Sequence, residues 1–166
     1  MQEFLLILGL ILSYMLYYML KSRLAIFFPS FKGMIKIIEK LAEVKSNDVV
    51  YDLGSGDGRV LEIFAKKGIR CVGIEKNRFL VNISRKKIGK YKNAKIIEGD
   101  ILEQDLSEAS IIIAYLSRFL TRDIEKKIKK ECKKGTKIIL VSYRFDSLKP
   151  VKVEKWFWMP ISLYIL

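Results

Sequence analysis

Apolar positions run without a charge through residues 4–20, and beyond them short apolar runs alternate with stretches of helical period. Ser30 is expected to cap a helix whose apolar positions Ile35, Ile37, Ile38, Leu41 and Ala42 recur at helical spacing. Ser46, Asn47 and Asp48 turn the chain into a first strand at 48–53. A helix over about 59–67 carries Val60, Ile63 and Phe64 inward and stops at Gly68. A second strand at 69–75 leads to a helix with Phe79, Leu80, Ile83 and Ile88 as its core face. The third strand is 94–98. The fourth, 110–116, is almost wholly apolar, as suits a central parallel strand covered on both faces. Thr121 is expected to cap the next helix, with Asp123 and Glu125 in its first turn; Gly135 ends it, and 136–143 is the fifth strand. Residues 151–158 and 162–166, joined at Met159 and Pro160, read as a terminal antiparallel pair.

Alternating strands and helices imply an α/β, Rossmann-like, doubly wound and mostly parallel sheet, here seven-stranded with its added terminal pair. It forms one domain over residues 29–166. Residues 1–28 are expected to be an N-terminal membrane anchor with its juxtamembrane segment. The apolar run lies at the low end of the roughly 17–25 residues that a span needs. Tyr14, Tyr17 and Tyr18 cluster toward its basic end, where Lys21 and Arg23 follow. A cleaved leader would want a basic start and a small-residue cleavage site, and the chain begins Met-Gln-Glu. A buried core helix is the other competitor. A single-pass transmembrane helix, with the positive residues C-terminal to it, places the domain on the cytoplasmic side.

The chain has 166 residues, 51% of them hydrophobic, and a formal net charge of +13. That charge suits an anionic membrane surface, a nucleic acid or an acidic partner; solvated lysine-rich helix faces give the same balance. There is no histidine, which excludes imidazole bases and ligands. Cys71 and Cys132 stand far apart in no metal-like spacing, so no metal is expected.

The chemistry concentrates in Asp52-Leu53-Gly54-Ser55-Gly56-Asp57-Gly58. Glycines on alternate positions after a strand let a ligand approach the backbone closely. A pyrophosphate here would face Asp52 and Asp57 and be repelled. S-adenosylmethionine (SAM) carries an ammonium and a sulfonium and no phosphate, so the acids favour it. Asp52 would hold the ammonium, and the amides from Gly54 through Ser55, Gly56 and Asp57 to Gly58 would approach the methionyl and ribose portion. Glu75, ending the second strand, would accept both ribose hydroxyls. Asp100 would accept from the adenine amine, with Ile101 against the ring. A strand-end Asp that merely caps the next helix is the competing reading for Asp57 and Asp100.

The ordered set of Asp-x-Gly-x-Gly-x-Gly, Glu75 and Gly99-Asp100 resembles the class I SAM-dependent methyltransferases, which implies the strand order 3-2-1-4-5-7-6. Phe27-Phe28-Pro29-Ser30 and Val50-Tyr51-Asp52-Leu53-Gly54-Ser55-Gly56-Asp57-Gly58-Arg59 are similar to the archaeal protein lysine methyltransferase family. That family includes membrane-associated mitochondrial enzymes acting on the ATP synthase c-subunit and the adenine nucleotide translocase. The resemblance implies a lysine-bearing protein substrate, a membrane protein among the candidates. It also implies that Ser30 bonds the SAM carboxylate and that Tyr115 borders the substrate lysine. Tyr115 is expected to line the SAM site and to orient the acceptor amine, with an aromatic core residue at the sheet edge as the competing reading. Phe27 stands where the family has Tyr. Tyr115-Leu116-Ser117 lacks the Asn/Asp-Pro-Pro-Tyr signature of nucleic-acid amino-methyltransferases, which argues against a nucleic-acid substrate. The expected protein is a monomeric, membrane-anchored lysine methyltransferase. A lipid or small-molecule methyltransferase and a non-catalytic SAM- or RNA-binding module are the competing readings.

Overall fold

The computed structural model describes residues 6–11, 13–14 and 30–166. Four helices and seven strands make up the domain: α1 (Lys32–Ala42), β1 (Val49–Leu53), α2 (Arg59–Lys66), β2 (Arg70–Glu75), α3 (Arg78–Ile88), β3 (Ala94–Glu98), β4 (Ile111–Ala114), α4 (Arg118–Glu131), β5 (Lys137–Val141), β6 (Lys152–Trp156) and β7 (Met159–Ile165). The sheet order is β3-β2-β1-β4-β5-β7-β6. The first five strands are parallel, and β7 runs antiparallel to both β5 and β6. This is the expected strand order.

Residue alternation on the central strands builds two cores. Val50, Ile111, Ile113, Ile139 and Val141 face α1, α2 and α3, meeting Met34, Ile38, Leu61, Phe64 and Val81. Tyr51, Leu53, Ile112, Ile138 and Leu140 face the other way, onto Ile124 and Ile128 of α4 and onto Leu106 and Phe145. The loop after β5 is fastened to α4: the buried Glu125 accepts the N–H groups of Asp146 and Ser147 at 2.9 and 3.0 Å.

Several local expectations are corrected. Phe31, not Ser30, occupies the N-cap of α1, and it makes no side-chain cap bond. The core face of α3 is Leu80, Val81, Ser84 and Ile88, while Phe79 and Ile83 are exposed. The small Ser84 is what admits the loop backbone at Gly58, where a Cβ would overlap its hydroxyl. Thr121 lies inside the first turn of α4, its hydroxyl donating to the Ser117 carbonyl at 2.9 Å, and Ser117 holds the N-cap position. β4 is shorter than expected, because the chain leaves the sheet at Tyr115 toward α4. In the tail, Met159 and Pro160 belong to β7, and Phe157 and Trp158 form the turn, since Trp156 pairs with Met159. The Schellman end of α2 is as expected: Gly68 has φ 77° and Ile69 donates to the Phe64 carbonyl at 3.2 Å.

The expected span over 4–20 and the segment through Pro29 lie mostly outside the described residues. Residues 6–11 and 13–14 are helical and exposed. Among the described residues, no helix is long and apolar enough to cross a membrane.

Gly73 shows how tightly the sheet is packed beside the glycine loop. A Cβ there would lie 2.5 Å from Leu61 Cδ1 and 2.7 Å from both Ile96 Cδ1 and Ser55 Oγ. Gly73→Ala is therefore expected to lower the urea midpoint by an amount worth about 1–3 kcal/mol, the usual cost of overpacking. An unchanged midpoint would contradict this packing.

Candidate active site

At the carboxyl end of β1 the backbone breaks into a loop whose three alternate glycines all take positive φ: Gly54 at 78°, Gly56 at 55° and Gly58 at 77°. Only glycine adopts this repeatedly without steric cost. The expected ligand-facing amides are largely spent on the loop itself. Gly54 and Ser55 both donate to the Ile74 carbonyl (2.9 and 3.0 Å), and Gly58 donates to the Ser55 carbonyl (2.9 Å). Gly56 donates to Glu75 Oε2 at 2.9 Å. The glycines thus offer close approach to a rigid backbone rather than a row of free donors.

Glu75 clamps two segments. Besides Gly56 it accepts the Asn77 N–H on Oε1 at 2.8 Å, and Asn77 caps α3 by accepting from Phe79 and Leu80. Each carboxylate oxygen keeps a second lone pair, so the expected diol acceptor retains capacity while already preorganised.

Asp52 is 5% exposed, and its Oδ2 is buried without a hydrogen-bond partner. Burial first, then the negative charges of Glu75 and Asp57, push its carboxyl up from the ordinary 3.8 to about 7. A buried acid in this condition favours a cation. The Ser55 hydroxyl is also buried and unpartnered, and Leu116 Cδ2 lies 3.5 Å from where a Cβ on Gly54 would sit, closing the loop's flank. An orphaned acid beneath a glycine-rich loop fits a cationic amino-acid moiety. The chemistry of these residues therefore suits SAM.

Asp57 does something else than expected. Its carboxylate binds Arg59 through Nε (2.9 Å) and Nη2 (3.0 Å), and Lys87 Nζ at 2.7 Å. Burial opposes its charge, but the hydrogen bonds and charges of Arg59 and Lys87 outweigh it and hold the carboxyl at about 2. The group ties the loop to α3. Arg59 then reaches the Ser30 carbonyl through Nη1 at 3.3 Å, so Ser30 is drawn to the loop by its backbone. Sequence reasoning missed Arg59 and Lys87 as the anchors of this loop. The charge alternation Asp57/Arg59 was the available signal for the first, whereas Lys87 is visible only in three dimensions.

Asp100 accepts from Lys76 Nζ at 3.0 Å and from the Leu102 N–H at 3.0 Å, and Ile101 beside it is buried in the core against α4. Tyr115 is half-buried after β4; burial first, then the neighbouring Tyr143, raises its phenol pKa. Tyr143, just past β5, is a second phenol at this end that the sequence reading passed over. Asp52, Glu75, Asp100 and Tyr115 all sit at carboxyl ends of parallel strands or in the loops that follow, where open α/β sheets bind ligands. Among the described residues there is no cluster of His, Cys, Asp or Glu that could hold a metal ion.

The crystal structure of an RNA methyltransferase from Salinibacter ruber with S-adenosyl-L-homocysteine matches this fold with a TM-score of 0.77 at 28% identity, covering 83% of this chain and 93% of that one. Fold and loop together define a SAM-dependent methyltransferase. Residues 52–152 match the family model described as ANTKMT methyltransferase domain, and the chain belongs to that family. It is 31% identical over 134 residues to a protein-lysine N-methyltransferase of Saccharolobus islandicus, covering 76% of this chain and 82% of that protein. To the human lysine N-methyltransferase of the ATP synthase c-subunit it is 29% identical over 127 residues, which cover 75% of this chain and 54% of that protein.

The raised Asp52 carboxyl makes the ligand-free protein pH-sensitive. Near pH 3 the group is neutral folded or unfolded. As pH rises from its ordinary 3.8 to about 7, the unfolded chain releases a proton that the folded chain keeps, so this group's contribution to stability falls across that window and then levels off. Asp52→Asn should remove that slope. It should raise ligand-free stability at pH 8 by up to about 4 kcal/mol, from roughly three units at 1.36 kcal/mol each, with little effect at pH 3. Urea titrations at the two pH values check this; equal effects at both would contradict the assignment.

Proposed function

We propose that this methyltransferase transfers methyl groups to lysine side chains of proteins at a membrane, held there as a monomer by a single-pass N-terminal helix with the domain on the cytoplasmic side. The observation that carries the lysine reading is the likeness to the Saccharolobus islandicus enzyme, which runs along most of both chains. The charge-free apolar run over residues 4–20, followed by Lys21 and Arg23, supports the anchor and its orientation.

Bound SAM supplies a methyl group on a positively charged sulfur, ready for in-line displacement by a lone pair. The chain's own task is then placement. Asp52 would take the ammonium and Glu75 the ribose hydroxyls, while Asp100 and Ile101 border the adenine and Ser30 the carboxylate end. The acceptor amine must be neutral, and a free lysine has a pKa near 10.4. Entry beside the half-buried Tyr115 desolvates the amine and favours its neutral form. The raised phenol of Tyr115 stays protonated at neutral pH and serves as an orienting hydrogen-bond partner rather than a base. No histidine is needed.

A second reading, methylation of RNA, is favoured by the likeness to the Salinibacter ruber enzyme and by the net charge of +13. Labelled SAM incubated with the full chain and host membranes separates the two. The lysine reading predicts a labelled protein band that disappears when lysines are blocked beforehand; label confined to RNA or lipid would overturn it. Tyr115→Phe should slow methylation about tenfold, the worth of one orienting hydrogen bond, and leave SAM affinity unchanged. Proteinase added to sealed, right-side-out vesicles should leave the domain intact, and its digestion would overturn the orientation.

A further inference from the structure

Apart from the N-terminal helical residues, the exposed aromatic side chains among the described residues are Phe31, Phe79, Phe119, Tyr143, Phe157 and Trp158. The topology places all six at one edge of the domain. Phe79 and Phe119 begin the helices that follow β2 and β4, and Tyr143 follows β5. Phe31 precedes α1, whose last turn leads to the start of β1, so the first turn of α1 lies at the carboxyl edge of the sheet. β6 is parallel to β5, so the turn at Phe157 and Trp158 emerges at this same edge. It projects past β5: Val141, the last residue of that strand, pairs with Ile161, while Met159 still pairs with Trp156 beyond it. This edge also carries Asp52, Glu75 and the glycine loop.

Cations are interleaved with these rings. Lys32, Arg78, Arg118 and Arg144 each adjoin one of the aromatics in sequence, and Lys155 lies just before the turn. All five are exposed or partly so, and none takes part in an ion pair among the described residues. The nearby acids Asp100 and Asp146 are matched by Lys76 and Arg122.

The turn itself is costly for a soluble surface. Phe157 takes φ 53°, a conformation that glycine or asparagine holds with less strain. The two tip rings are nevertheless 73% and 83% exposed. They extend an aromatic cluster in which Phe31 stacks on Trp156 (4.9 Å between centroids) and Phe157 meets Trp156 edge-on (4.9 Å).

We propose that this aromatic and basic rim is a lipid-binding face, seating the cofactor end of the domain against an anionic bilayer with Phe157 and Trp158 in the headgroup layer. The proposal rests on the membrane reading above. Amphipathic rings favour the headgroup level, and unpaired cations are drawn to anionic lipid. The chain also enters the domain on this rim: Ser30, held by Arg59, directly precedes Phe31, and the apolar run lies upstream of it. A helix anchored in the bilayer would therefore deliver this edge to the lipid surface. It follows that the methyl acceptor is presented within or just above the headgroups.

The chain's two tryptophans are Trp156 and Trp158, so Trp158 emission is read as the difference between the wild type and Trp158→Phe, a change at a largely exposed position. The full chain is reconstituted in phosphatidylcholine vesicles with or without phosphatidylglycerol, with brominated acyl chains as quencher. Flotation reports the anchor independently. The proposal predicts that the chain floats and that Trp158 emission is blue-shifted and quenched, more strongly with phosphatidylglycerol. Arg118→Gln and Arg144→Gln should each weaken the quenched state about fivefold, the equivalent of roughly 1 kcal/mol per surface cation. A chain that floats with Trp158 unquenched overturns the rim and leaves the anchor standing. A chain that does not float overturns both. Trp158 emission that responds to a short RNA and not to vesicles makes the rim a nucleic-acid surface and overturns the proposal.

Discussion

Burying a carboxylate without a partner is unfavourable, and the end of β1 is built around that imbalance. Asp52 lies under the glycine loop with Oδ2 unsatisfied, between the charges of Glu75 and Asp57. A ligand cation relieves the desolvation and the repulsion together, so the same arrangement that weakens the empty protein favours SAM. The remaining contacts hold the arrangement in place. Glu75 fixes Gly56 and the start of α3 with its two oxygens. Asp57, kept ionised by Arg59 and Lys87, fastens the loop to α3 and, through Arg59, to Ser30. Close packing around Gly73 and between Gly58 and Ser84 holds the loop backbone tightly against its neighbours.

This division of labour separates two kinds of acid that look alike in the motif. Asp52 and Glu75 lie at strand ends, where side-chain parity and register determine their place: Asp52 pairs with Gly73 and Glu75 with Glu98. Asp57 lies in the loop, where its two cations claim it. The methyl-transfer chemistry needs little more than placement, and in the reaction proposed above the half-buried Tyr115 and the neighbouring Tyr143 would bound the place where an acceptor amine enters.

What could be read beforehand follows from how local each determinant is. The positive-φ glycines and the acids at successive strand ends were legible, because periodicity and turn chemistry encode them within a few residues, whereas the strand order, a long-range property, followed only from the resemblance to the class I methyltransferases. The core face of α3 was not: Val81 and Ser84 turn inward and Phe79 outward because the Gly58 backbone needs the space beside Ser84, a tertiary demand. The fate of Asp57 depended on Lys87, thirty residues away in sequence. The hairpin tip was misplaced because Phe157 and Trp158 carry no turn signal, whereas Met159 and Pro160 do. That same mismatch between residue type and backbone conformation is what draws attention to the tip as a surface selected for something other than stability.

The central claim is that the acids at the ends of β1 and β2 receive the cofactor. A crystal structure of the full chain with SAM or S-adenosylhomocysteine tests it most directly. The account predicts the ligand ammonium on Asp52, directly or through one water, and both ribose hydroxyls on Glu75, with the Asp57–Arg59–Lys87 cluster unchanged. A ligand bound with Asp52 still unpartnered, or with Asp57 released from its cations to contact it, would contradict the account.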